Sequence, residues 1–123
     1  MAIREKHEGA AVVLIPDSSI TWRTQPELKT ALDNLSEIGQ THIIVDLTNV
    51  REISGYGLGL LASRCGRLRR DRGDIRLASA SDSVRKLLEV TNLDQLFEQF
   101  DTADNAVRSF TVMHRGDGDH EEE

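Results

Sequence analysis

The residues with the most chemical potential in this sequence crowd into one stretch, Val50–Leu61 (VREISGYGLGLL). There Gly55, Gly57 and Gly59 alternate where a connection turns into a helix. Glycine at such a place permits positive φ and close backbone approach. A helix N-terminus also presents unpaired N–H groups and the positive end of a dipole, which favour an anion or a phosphorylated side chain. The stretch is not a nucleotide fingerprint, because Leu60 stands where a dinucleotide loop needs a third small residue and no Gly-Lys-Ser/Thr follows. Two readings stay open with equal weight: glycines that only let a helix pack close on a sheet, and a functional surface.

Nothing else assembles a catalytic set. The sequence holds neither a Gly-x-Ser-x-Gly elbow nor a His-Glu-x-x-His pair. His7, His42, His114 and His120 are scattered, and the last two fall in an acidic tail, where a solvated segment outweighs weak metal binding. Asp46 ends an apolar strand, where catalytic carboxylates occur but a lone one more often binds backbone N–H groups. Cys65 is the single cysteine and lies on the apolar face of a helix. It reads as a small core residue, and alone it can form neither an internal disulfide nor a multi-cysteine metal site. Arg64, Arg67, Arg69, Arg70 and Arg72 crowd a helix C-terminus, which suits the dipole; a solvated face is the first reading and a steering patch for an acidic partner the second. We therefore expect no enzyme, no cofactor and no metal site.

The elements that must position the glycine loop follow from periodicity. Ile3, Glu5 and His7 alternate weakly, Glu8-Gly9 makes a turn, and Ala10–Ile15 is an apolar run closed by Pro16-Asp17-Ser18-Ser19. Two strands joined by a tight turn are expected. Thr24 and Glu27 stand at capping-box spacing before a helix with Leu28, Ala31, Leu32 and Leu35 on one face and Gly39 after its end. His42–Leu47 is the short apolar strand a covered sheet buries. A second helix carries Leu58, Leu61, Ala62, Cys65 and Leu68 on one face and ends near Gly73, and Ile75–Ala78 is the next strand. Ser81 or Asp82 caps a third helix with Val84, Leu87, Leu88 and Thr91. Leu96–Phe100 reads as the last strand, and Asp101 or Thr102 caps a fourth helix with Ala103, Ala106, Val107 and Phe110.

Helices alternating with strands after a hairpin predict an α/β domain with a mixed sheet of about five strands and about four helices. The domain is expected over residues 1–112. Residues 113–123, acidic and free of apolar side chains from His114, are expected to form a disordered tail. A length of 123 residues, a net charge of −6 and 4% aromatics allow one domain with little basic surface for phosphates and few rings for stacking bases. No apolar run approaches the roughly 18 residues of a membrane span. The charged start, Met1–Glu8, lacks the apolar core of a signal peptide. The expectation is a cytoplasmic protein that binds another protein, without direct nucleic-acid binding or membrane insertion.

The order of elements and several strings together resemble the STAS family (sulfate transporter and anti-sigma-factor antagonist). In that family a strand ending in Asp-Leu leads through a loop into Asp-Ser-Ser-Gly-Leu-Gly at a helix start. Here Asp46-Leu47-Thr48-Asn49-Val50 leads to Ile53-Ser54-Gly55-Tyr56-Gly57-Leu58-Gly59. Gly73-Asp74-Ile75-Arg76-Leu77 is similar to the family's Gly-Gly-x-Leu-x-Leu strand, Val84–Leu93 to its next helix and Leu96-Phe97 to its final strand. The likeness covers residues 2 to 112.

This resemblance implies an anti-sigma-factor antagonist, which captures an anti-sigma factor that is also an ATP-using serine kinase and so frees a sigma factor. Phosphorylation of the serine before the second-helix glycine adds charge that breaks the fit. On the family's pattern the aspartate falls on Ser54, the first serine on Gly55 and the acceptor on Tyr56, while a carboxylate before the first helix falls near Thr21. The implied partner surface is Ser54, Gly55, Tyr56, Gly57, Leu58, Gly59 and Thr21, with the Asp17–Thr24 loop and the exposed side of the second helix. Ser54 and Tyr56 are the candidate modification positions. Ser54 also reads as a plain N-cap, and Tyr56 as an interface anchor. The replaced acceptor favours the other reading, a STAS accessory or scaffold subunit of a signalling assembly or membrane transporter, not regulated by phosphorylation. A homodimer is left open.

Overall fold

A charged hairpin opens the chain: β1 (Ile3–Glu8) and β2 (Ala11–Pro16) pair antiparallel, from Ile3 opposite Pro16 to Glu8 opposite Ala11. Gly9 turns between them at φ +59°, a conformation that favours glycine. This computed structural model describes residues 1–110; the expected domain end at 112 and the expected tail over 113–123 lie outside the described residues. β1 is the sheet edge, and its charged side chains discourage pairing with another strand.

From β2 onward the sheet is parallel. β3 (His42–Asp46), β4 (Asp74–Ala78) and β5 (Gln99–Phe100) complete a five-stranded mixed sheet in the order β1-β2-β3-β4-β5. The connections are α1 (Gln25–Glu37), α2 (Gly55–Arg70) and α3 (Asp82–Val90). Right-handed crossovers that all step the same way put their helices on one face of a sheet. The main core bears this out, since Val12, Leu14, Ile43, Val45, Ile75 and Leu77 meet Leu28, Leu32, Leu61, Cys65 and Leu88. A fourth helix, α4 (residues 103–110), covers the other face, setting Ala106 and Phe110 on Val13, Ile44 and Ala78. Alternate residues of the inner strands are thus buried on opposite sides, which is why those strands read as apolar runs.

Local signals decide most of the ends. Ser81, not Asp82, caps α3 by accepting the Val84 N–H at 3.3 Å, and Thr102, not Asp101, caps α4 by accepting that of Asn105 at 3.1 Å. Two expectations fail. The Thr24–Glu27 capping box does not form; instead the Thr24 hydroxyl donates to the Ser19 carbonyl (2.7 Å) and accepts the Thr21 N–H (2.8 Å). Thr21 Oγ1 accepts the Arg23 N–H (3.2 Å), not that of Thr24, and the Thr21 carbonyl accepts that of Gln25 (2.7 Å). Backbone-to-side-chain bonding thus runs one way between the two threonines, from the Thr21 N–H to Thr24 Oγ1. The last strand also shrinks from Leu96–Phe100 to Gln99–Phe100. Leu93–Gln95 form a 3₁₀ turn after Asn92 at φ +61°, and Phe97 enters the main core from that turn rather than from a strand register.

Candidate functional site

The site is built where two loops are tied together at the head of α2. The Ile20 N–H donates to the Glu52 carbonyl (2.9 Å), the Ser54 N–H to the Ile20 carbonyl (2.8 Å) and the Glu52 N–H to the Ser19 hydroxyl (3.2 Å). Ile20 and Ile53 thereby make a parallel bridge outside the main sheet. Ile20 is fully buried, and burying such a side chain is worth about 1.5–3 kcal/mol. The strap therefore fixes residues 19–24 against residues 52–57 with apolar packing as well as hydrogen bonds.

That packing answers the question posed by the alternating glycines. A Cβ on Gly57 would stand 2.6 Å from Ile20 Cγ2 and 3.0 Å from Ile53 Cγ2, so only glycine fits. A Cβ on Gly55 or Gly59 would meet nothing within 4 Å. None of these glycines has a positive φ; among the described glycines only Gly9 and Gly39 do. Close packing thus explains Gly57, and the flanking pair keeps the outer face of the first turn bare.

Ser54 is the N-cap, in extended backbone at φ −77° and ψ 168°, its Oγ accepting the Gly57 N–H at 3.2 Å. No acidic residue occupies the first turn of α2, so its positive end carries no compensating carboxylate of its own. Tyr56 projects from that turn and is 73% exposed. Asp46 accepts the N–H (3.0 Å) and hydroxyl (2.5 Å) of Thr48, which orders the start of the loop. Beside Thr21 and Ser54 lies an open hollow of about 340 Å³, bordered by Arg51, Glu52 and Ile53 and, across it, by Ser83, Val84 and Leu87 of α3.

Of the residues singled out from sequence, Ser54, Gly55, Tyr56, Gly59 and Thr21 come together at or near this surface, whereas Gly57 and Leu58 are buried and support it from below. Trp22 falls within the Asp17–Thr24 loop but was not singled out there; it is 64% exposed in the turn after Thr21, with the Arg23 guanidinium 5.1 Å from its ring centre. A lone tryptophan in an otherwise polar turn was the available signal. Ile20, which closes the strap, was equally silent.

At the other end of α2 part of the charge is spent internally. Arg64 pairs with Asp33, and Arg69 Nε and Arg76 Nε donate to the two oxygens of Asp74 at 2.9 and 3.0 Å. Arg76 is 2% exposed, lies 3.9 Å from the Phe110 ring centre and donates to Ser109 Oγ at 2.6 Å. Cys65 is buried with its thiol on Asp74, and burial pushes its pKa up, which suits a core residue rather than a nucleophile. Arg67, Arg70 and Arg72 remain at the surface. Among the described residues no three His, Cys, Asp or Glu side chains group as metal ligands, and no helix is long and apolar enough to cross a membrane.

The model of the STAS domain family matches residues 2–106. The chain belongs to the STAS domain family. This STAS domain is 32% identical over 73 residues to an anti-sigma-B factor antagonist of Staphylococcus aureus, a match covering 59% of this chain and 68% of that one. It superposes on an anti-sigma factor antagonist from Mycobacterium paratuberculosis with a TM-score of 0.79 at 20% identity, covering 88% of this chain and 92% of the other. A sulfate transporter family protein from Wolinella succinogenes gives a TM-score of 0.75 at 16% identity, over 86% and 88% of the two chains. At those identities the two structures speak for a shared STAS fold alone.

Proposed function

We propose that the chain is an anti-sigma-factor antagonist, a non-enzymatic cytoplasmic protein that binds an anti-sigma factor of the serine-kinase type and so regulates transcription by the sigma factor it frees. The observation that carries this reading is the head of α2. There a strapped, glycine-bared helix start offers Tyr56 and an uncompensated positive helix end to a partner. The name of the S. aureus relative supports it. Such a surface is ordered before binding, so docking forfeits little conformational entropy. Ser54, Gly55, Tyr56 and Gly59 would meet the partner directly, with Thr21 beside them and Gly57 and Leu58 beneath.

Phosphorylation at this surface would differ from the family's pattern. Ser54 turns its hydroxyl inward onto the Gly57 N–H, and Tyr56 carries its own at the far end of a ring. That arrangement also favours a second reading, an accessory or scaffold subunit of a signalling assembly or transporter, with docking independent of phosphorylation. One experiment separates the two: capture on the tagged full chain from lysate of its source, in parallel with ATP and ADP, followed by intact mass of the bait. Recovery of a kinase-fold anti-sigma factor is the expected result, and a phosphate-sized mass gain under ATP would mean that a phospho-switch survives in this chain. Recovery of transporter or scaffold subunits with unchanged bait mass would overturn the antagonist reading.

A further inference from the structure

We infer that Trp22 is a second anchor of the docking surface, one that inserts into an apolar pocket on the anti-sigma factor. This inference rests on the antagonist reading and deepens it. A tryptophan left 64% exposed forgoes the burial a core would give it, and Trp22 is the chain's only one. Such residues dominate the energetics of protein interfaces when they enter a desolvated pocket. What surrounds Trp22 is rigid. The Thr21 N–H on Thr24 Oγ1 closes the turn that carries it, Thr24 ties that turn to the Ser19 carbonyl, and Ile20 packs the segment against Gly57. The side chain is thus presented on a fixed backbone, which lowers the entropic cost of docking.

The surroundings also indicate what the pocket looks like. Arg23 stacks on the ring, and Arg51 and Glu52 border the hollow that begins at Thr21. An apolar pocket rimmed by carboxylate would satisfy Arg23 and Arg51, and a carboxylate is also what the uncompensated end of α2 favours. Trp22 follows one strapped segment and Tyr56 the other, which places both near the Ile20–Ile53 bridge.

The test uses the full chain labelled with 5-fluorotryptophan, whose single fluorine resonance reports Trp22 whatever tryptophans the partner holds. Purified anti-sigma factors of the source organism are titrated in one at a time, with affinity measured in parallel by calorimetry. The expected result is a shifted, broadened resonance on binding. Trp22→Ala should weaken affinity about tenfold or more with an unchanged thermal melt, and Trp22→Phe should recover part of the loss. A factor that binds while leaving the resonance unmoved and Trp22→Ala within about twofold of the parent would overturn the inference and leave the antagonist reading standing. Failure of every factor to bind would overturn both.

Discussion

The two ends of α2 use their side chains in opposite ways. At the C-terminal end Arg64 and Arg69 are committed to Asp33 and Asp74, Arg76 beneath them is buried, and Cys65 leans on the same Asp74 carboxylate. At the N-terminal end the backbone does the bonding, through the Ile20 strap and the Ser54 cap, and Tyr56 and Trp22 are left exposed. The charged end looks reactive in the sequence, yet Arg64, Arg69 and Arg76 are spent on internal pairs, while the end poor in titratable groups is the one we propose meets a partner. A charge-rich cluster is weak evidence for function when its members find one another, and an ordered surface with unspent aromatic side chains is stronger.

The contrast can be broken from either side. Asp74→Ala should have the largest effect on stability, about 3 kcal/mol in urea midpoints, because it leaves the buried Arg76 short of its closest carboxylate. Gly57→Ala should cost about 1–3 kcal/mol, since its Cβ would drive into Ile20 Cγ2. That variant should also loosen the strap, read as faster amide exchange over residues 19–24.

Smaller effects sharpen the comparison. Lys29, and with it Arg64, holds the Asp33 carboxyl below the usual carboxylate range. A lowered folded pKa means the stabilisation is present above the unfolded pKa and is lost as pH falls through the folded one. Asp33 is partly solvated, so Asp33→Asn should cost under about 1 kcal/mol at neutral pH, and its urea midpoint should converge with the parent's in acid. Tyr56→Ala should change stability by no more than about 0.5 kcal/mol, because the side chain touches solvent, yet it should weaken partner binding.

Much of this fold was legible in the sequence, for reasons the particular elements show. His42–Asp46 and Ala11–Pro16 read as strands because both of their faces are covered, and α2 and α3 kept one apolar face each. Phe97 misled because an apolar residue near a strand is buried equally well by a 3₁₀ turn, and burial alone carries no period. Thr24 misled because Thr-x-x-Glu and Thr-x-x-Thr overlap there, and the contact with Ser19 decided between them. The candidate site was half legible. Its position at the glycine-rich helix start was plain, but Gly57 differs from Gly55 and Gly59 chiefly through Ile20, which is far off in sequence. Arg69 and Arg76 lie only five and two positions from Asp74, and their pairing was invisible because the turn from α2 into β4 sets it, not a periodic pattern.

The most direct measurement is a hydrogen-exchange footprint of the full chain with and without the anti-sigma factor proposed as its partner. The account predicts protection concentrated in residues 19–24 and 54–60, with the C-terminal turn of α2 and the start of β4 unchanged. Protection around Arg67, Arg70 and Arg72 with the head of α2 unaffected would contradict it, and would move the docking surface to the arginine-rich end.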